Sequence, residues 1–561
     1  MTAEYQVHGA VAVITLNNPP VNGMGLATRT AAVAGIERAL ADDAVTAIVI
    51  TGAGKAFSGG ADIREFNSPK ALEEPSLHTF IATAESATKP VVAAIHTICM
   101  GGGLELSLGC HYRVAMPGAR VALPEVKLGL LPGAGGTQRL PRVLGLEAAL
   151  KMIVTGDPVL SEQLADTPLF DAVFAADADL LSSAVAFAES IAAIRPLPKV
   201  RERTVEHANP QAVLAYARQM ATAQAPGYPA PLECIATVGA SVTMPFDEGM
   251  AFERARFMHL IVSPESQALR HAFFAERVAA KVPDLAPDTP LRTIRTAAVV
   301  GAGPAAGDIV TILQKAGITV TALSSAIASS ELADADLVIE NLDGTLEDMQ
   351  ALLRQLAAVV KQGAILATTS TTLDINALAA VSGRPQDVIG LHFSRPVQKT
   401  RLLEVGRTAH TAMDVLATAL ALAKRLHKTV VVANLGAAGR FIGPRMIDQY
   451  QRLAAVLLEQ GASADQVNQA AERFGFAQVP FGQAGAPGAT KLDISDAEIA
   501  GRLVDALVKE GARLLEEGVA LRASDIDIVH LAGYGFPPYR GGPMFYANAA
   551  GLSARVRAPE K

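Results

Sequence analysis

Residues 90–105 read PVVAAIHTICMGGGLE. The stretch 90–98, PVVAAIHTI, is β-branched and apolar and is expected to form a strand; an apolar helix is expected from Leu104. Gly101, Gly102 and Gly103 join the two. Glycine lets a backbone approach a ligand closely. A helix starting behind it offers unpaired N–H groups and the positive end of its dipole. Upstream, 7–16 (VHGAVAVITL) and 45–51 (VTAIVIT) read as strands, and 27–41 has the apolar spacing of an amphipathic helix. Strand alternating with helix makes the first half α/β.

Two further segments carry the same chemistry. KAFSGGADI at 55–63 is small and glycine-rich, and LPEVKLGLLPGAGGTQRL spans 123–140. Donors at a glycine-preceded helix start suit a thioester oxygen that becomes negative during reaction. Glu105 opens the helix, and Glu125 follows 20 residues later. Two carboxylates in different environments can divide acid and base work. Taken singly, Glu105 reads rather as a residue that favours a helix start, and Glu125 as a solvated loop residue.

Together with LNNPPVNGM at 16–24, these motifs resemble the crotonase (enoyl-CoA hydratase/isomerase) family over 5–190. Within it, they are similar to the N-terminal half of the multifunctional β-oxidation enzymes of the peroxisomal type. The resemblance implies a CoA-thioester substrate, with coenzyme A as part of it, and the amides of Ala61 and Gly102 as oxyanion hole. It implies Glu105 activating water and Glu125 delivering a proton to the α-carbon. A shift of a 3-enoyl double bond to the 2-position, for which Glu125 alone suffices, is implied as well.

Further on, 200–285 turns helical with a Pro-rich interruption at 226–231, and 247–280 reads as one long connecting helix. KVPDLAPDTPLRT at 281–293 reads as a linker. AAVVGAGPAAGDIVTILQKAGITVTAL at 297–323 is then strand, glycine turn, helix, strand, and further strands are expected at 336–340 and 364–368. Gly301, Gly303 and Ala306 fit the dinucleotide fingerprint, in which the second glycine lets a pyrophosphate reach the helix N-terminus. A tight strand–helix turn would use the same residues. From about 445 the chain reads mostly helical.

GLHFSRPVQKTRLLEV at 390–405 and EEGVALRASDIDIVHLAGYGFPPYRGGPMFYAN at 516–548 resemble the 3-hydroxyacyl-CoA dehydrogenase portion of the same multifunctional enzymes. Carried over, His392 is the base that takes the hydroxyl proton, and Glu404, twelve residues on, orients its imidazole. The cofactor implied is NAD. The whole is an α/β multidomain chain. It comprises a crotonase (spiral ββα) domain at 1–190, a helical extension and linker helix at 191–290, a Rossmann-like NAD-binding domain at 291–432 and a shortened helical dehydrogenase region at 433–561.

Several positions depart from that pattern. Ser324 stands where an acidic residue would hold the adenine ribose, Gly344 replaces a cleft glutamate, and Thr371 replaces a serine near substrate. Pro444 stands where the active-site asparagine is expected, so a side-chain donor and acceptor are lost. Between Leu323 and ADLVIE at 335–340 there is no room for the expected helical hairpin. After FGFAQVPFGQAG at 474–485, most of a first helical C-terminal domain is missing. Weak or vestigial NAD binding follows as an expectation.

Composition narrows the rest. A chain of 561 residues, half of them apolar and 18% charged, buries large cores. Its net charge of −7 argues against nucleic acid as partner. Cys99, Cys110 and Cys234 are too few and too scattered for a disulfide framework or zinc site, and no metal is expected. No apolar run reaches membrane-spanning length, and neither a signal peptide nor a Ser-Lys-Leu tail is present. The cytoplasm is the expected location, acyl-CoA thioesters are the partners, and a monomer or small homo-oligomer is the expected state. Three readings stand: a hydratase/isomerase with an impaired dehydrogenase module, a fully bifunctional hydratase and NAD-dependent dehydrogenase, or a non-catalytic acyl-CoA-binding protein.

Overall fold

The computed structural model describes residues 2–66, 68–324, 332–436, 439–482 and 493–551. The tract between Leu323 and Ala335 and the junction after 482 therefore lie largely outside the described residues, as does the C-terminal RAPEK. The chain forms two compact units, Met1–Gln267 and Ala268–Lys561.

In the first unit, strands β1 (Ala3–His8), β2 (Val11–Leu16), β3 (Ala47–Gly52), β4 (Val91–Ile95), β6 (Tyr112–Ala115) and β9 (Ala172–Val173) form one sheet in that order. Only β1 and β2 are antiparallel. The single strand expected at 7–16 is instead the end of the first arm, the turn and the second arm of a hairpin. Gly9 takes a left-handed φ of +59° between the two strands, which only glycine adopts freely. A second sheet joins β5 (Ile98–Met100), β7 (Arg120–Ala122) and β8 (Val159–Leu160). β3 and β4 are buried throughout apart from the last residue of β3, as continuous β-branched and Ala runs in a covered parallel sheet should be. The helix Gly102–Gly109 has every residue buried, so its glycines and Glu105 sit at the centre of the unit.

The long helix expected over 247–280 is two helices, Phe246–Ile261 and Pro264–Ala279. Pro264 has no N–H to continue the first ladder and is suited to begin a new helix. The helix Phe246–Ile261 packs against Pro229–Thr243 and Gly136–Leu144 in the first unit.

The second unit is built on a seven-stranded sheet of order β11 (Thr319–Leu323), β10 (Thr296–Val300), β12 (Leu337–Glu340), β13 (Ile365–Thr368), β14 (Val388–Phe393), β15 (Leu402–Arg407) and β16 (Thr429–Asn434). All neighbours are parallel except β14 and β15. This is the Rossmann-type layer. Its glycine turn feeds the helix Pro304–Lys315. Helices Ile442–Glu459, Ala464–Phe474, Asp496–Glu516 and Ala523–Gly533 form the helical region around a core of Phe441, Leu457, Leu503, Leu507 and Phe536. Among the described residues, no helix is long and apolar enough to cross a membrane. All three cysteines are buried thiols.

Candidate active sites

In the first unit, a mostly apolar cavity of about 130 Å³ is lined by Gly60, Ala61, Gly101, Glu105, Glu125 and Ala134, among others. Glu105 comes from the first turn of the buried helix. Its Oε1 accepts from the amides of Ala134 (2.7 Å) and Gly136 (2.8 Å). Burial raises the Glu105 carboxyl, and those two amides pull it back toward the ionised form.

Glu125 begins the short 3₁₀ turn Glu125–Leu128. Its Oε2 is buried and has no hydrogen-bond partner among the described residues. Burial, and then the charge of Glu105, push its carboxyl well above the ordinary range. The pair is thus divided: one carboxyl is tied to two donors, and the other is held toward the protonated form. Gly101 has φ +55°, and a Cβ there would lie 2.9 Å from Glu125 Oε1, so only glycine leaves room for this carboxyl.

The amides of Ala61 and Gly102 come together because the two loops are nearly side-chain-free. A Cβ on Gly102 would lie 3.1 Å from the Ala61 nitrogen, and one on Gly60 3.0 Å from the Gly102 nitrogen. Among the described residues neither amide has a protein acceptor.

In the second unit, a cleft of about 850 Å³ is lined by Ala302, Gly303, Gly344, Thr371, His392 and Tyr534, among others. At Gly301 a Cβ would meet the Asn341 carbonyl at 2.2 Å, while nothing lies within 4 Å of one on Gly303. The turn is therefore open above the start of the helix Pro304–Lys315, as a bound pyrophosphate requires. Ala306 is buried in that helix. Ser324, exposed beyond the end of β11, supplies no carboxylate.

His392 and Glu404 face each other directly across β14 and β15. Even so, His392 Nε2 lies 3.9 Å from Glu404 Oε1, too far for a hydrogen bond, and 3.0 Å from the Tyr534 hydroxyl. The other oxygen of Glu404 accepts from the amides of Ile442 (2.9 Å) and Gly443 (3.1 Å), capping the helix that carries Pro444. Burial holds the His392 imidazole down at about 4, so the ring is neutral. Tyr534 stands on Gly443, where a Cβ would touch its ring at 2.1 Å.

Residues 6–225 match the Enoyl-CoA hydratase/isomerase family, and residues 323–435 match the 3-hydroxyacyl-CoA dehydrogenase, NAD binding domain. A peroxisomal bifunctional enzyme of Danio rerio is 34% identical over 674 residues, covering 98% of this chain and 93% of that protein. The chain belongs to the peroxisomal bifunctional enzyme family. Its Homo sapiens member is 32% identical over 100% of this chain and 94% of its own length. A glyoxysomal fatty acid beta-oxidation multifunctional protein of Brassica napus is 31% identical, over 96% and 91%. An alignment of 674 positions against 561 residues leaves more than a hundred with no counterpart here. This member of the bifunctional enzyme family is a fatty acid β-oxidation enzyme with an enoyl-CoA hydratase domain and an NAD-binding dehydrogenase domain.

Two residues of these sites escaped the sequence reading, Tyr534 and Glu253. Tyr534 lies in the distinctive 516–548 segment, but it is 142 residues from His392 and no spacing announces their contact. Glu253, which touches the turn that holds Glu105, lies in a helix read only as a connector.

Proposed function

We propose that the first unit hydrates 2-enoyl-CoA thioesters, with Glu105 as the base that activates water and Glu125 as the acid that protonates the α-carbon. The reading is carried by one observation: buried Glu105 and half-buried Glu125, whose Oε2 is itself buried, line a single apolar cavity beside two amides without protein acceptors. A thioester oxygen placed between the Ala61 and Gly102 amides would gain two donors as it becomes negative. Glu105, tied to two amides, is suited to stay ionised and take a proton from water. Glu125, raised by burial and by its neighbour's charge, is suited to carry the proton that the α-carbon receives. The same acid, returning to base, would let Glu125 shift a 3-enoyl double bond to the 2-position.

For the second unit we propose weak or vestigial NAD binding and slow dehydrogenation. Gly301, Gly303 and Ala306 would hold the pyrophosphate, and NAD when bound would supply the hydride acceptor. Ser324 leaves the ribose ungripped, and Pro444 offers no polar side chain. His392 meets the Tyr534 hydroxyl where a substrate proton would have to arrive. The domain scheme of 1–190, 191–290, 291–432 and 433–561 belongs to the same proposal, as do the absence of nucleic-acid and membrane partners and a monomeric or small homo-oligomeric state. The cytoplasm is the proposed location; a fluorescent fusion that collects in organelles would replace it with the compartment its relatives' names give.

The test mixes purified protein with a 2-enoyl-CoA and NAD and follows enoyl and NADH absorbance together. Rapid loss of the first with little of the second is expected. Equal rates would establish full bifunctionality, and no change in either would leave an acyl-CoA-binding protein.

A further inference from the structure

The helix Phe246–Ile261 presents three residues at successive four-residue steps to the turn 133–138, so they lie on one face. Gly249 makes room for the Gln138 side-chain oxygen, to which a Cβ would come within 2.2 Å. Phe257 lies against Gly133, where a Cβ would meet its ring at 2.4 Å. Between them Glu253, fully buried, accepts from the amide of Gly135 at 2.7 Å on one oxygen. Its other oxygen accepts from the amide of Thr137 at 3.0 Å and the Thr137 hydroxyl at 2.5 Å.

Four consecutive amides are therefore shared between two carboxylates in strict alternation. Those of Ala134 and Gly136 go to Glu105, and those of Gly135 and Thr137 go to Glu253. The turn needs an unusual backbone to do this, and Gly135 sits at φ +101°. Gln138 Nε2 donates to the Thr237 carbonyl at 2.8 Å and to the Thr137 hydroxyl at 3.0 Å. With that donor on one side, the Thr137 hydroxyl gives its own hydrogen to the Glu253 oxygen. Burial and the facing charge of Glu105 push the Glu253 carboxyl up, and these three donors oppose that push.

We propose that Glu253 is a positioning residue of the hydration site, holding the turn 134–137 so that its other two amides aim and ionise Glu105. This rests on the reading of Glu105 as the base. Glu253 does not line the cavity and acts on the substrate only through that turn. Without its acceptor, Gly135 and Thr137 lose their partners, the turn is free to relax, and Glu105 loses its fixed direction.

A double-substitution cycle on the full chain tests this, using hydration of crotonyl-CoA with kcat and KM measured separately. Glu253→Gln is expected to lower kcat about 10- to 100-fold with KM nearly unchanged, the cost of misplacing a reacting group by a fraction of an ångström. In a Glu105→Gln background, the same change is expected to cost no more than about twofold, because the group it positions is gone. Thr137→Val, isosteric and lacking one donor, should show the same pattern more mildly and serves if Glu253→Gln does not fold. A kcat near that of the unsubstituted chain, or an equal loss in both backgrounds, would overturn the proposal. If Glu105→Gln itself hydrates at the normal rate, it is the assignment of the base that fails.

Discussion

The hydroxyl of Tyr534 lies 3.0 Å from Nε2 of His392, nearer than Glu404 Oε1 at 3.9 Å. The imidazole expected to take a substrate proton already has a hydrogen-bond partner there, and it belongs to the far end of the chain. Burial keeps the ring neutral, so the lone pair exists; what is contested is access to it. Tyr534→Phe keeps the ring packed on Gly443 and removes only the hydroxyl. Oxidation of a 3-hydroxyacyl-CoA by NAD, slow in the unsubstituted chain, should then rise severalfold. Identical NADH production by the two proteins would show that the tyrosine does not compete for the base.

Replacing Glu125 by Gln should depress hydration by roughly 10²–10⁴, the usual cost of losing a positioned acid or base. Its melting temperature should scarcely fall, because Glu125 Oε2 makes no hydrogen bond that the amide would break. Paired kinetics and thermal unfolding check both halves of this statement.

Gly101→Ala attacks the same site from the backbone. The methyl group would sit 2.9 Å from Glu125 Oε1, and φ +55° suits glycine alone. A non-glycine residue held in such a sparsely populated backbone region costs about 1–3 kcal/mol. A lowered melting temperature and a large loss of hydration are expected together, whereas full activity would mean that Glu125 does not act from this position.

Calorimetric titration with NAD should show weak binding, since Ser324 is the exposed residue beyond the end of β11. Ser324→Asp introduces a charged acceptor for a ribose hydroxyl and should tighten binding roughly tenfold. Tight binding by the unsubstituted chain would contradict this.

Glu404 sets a pH dependence of stability. Burial pushes its carboxyl up to about 8, against the amides of Gly443 and Ile442. In the unfolded chain it would titrate near the usual value of about 4.3. Because the folded value is the higher one, its contribution is complete at acid pH and is lost as pH rises through about 8. Glu404→Gln has no such proton to lose, so its melting temperature should fall less between about pH 5 and pH 8. Parallel curves over that window would place the Glu404 carboxyl near its ordinary range.

Much of both sites is written locally. Glu105 and Glu125 each stand beside a glycine-rich turn, and the donors of such a turn are a property of a few adjacent residues. The hairpin at Gly9 and the helix break at Pro264 also rest on single local residues, but alternation and apolar spacing read as one strand and one helix there. His392 and Glu404 are paired through the resemblance to the dehydrogenases, and the structure sets the two opposite each other in β14 and β15.

Partnership at longer range is another matter. Glu253 reaches Gly135 across 118 positions and Tyr534 reaches His392 across 142, and no periodicity or motif encodes either distance. The sequence by itself determined which turns can donate hydrogen bonds and which carboxyls stand near them, because φ preferences and helix starts are local. Only the tertiary structure decided which carboxylate takes which amide, and whether the His392 imidazole faces Glu404 or Tyr534. Those choices depend on the packing of distant helices, whose side chains meet only when the core closes around them.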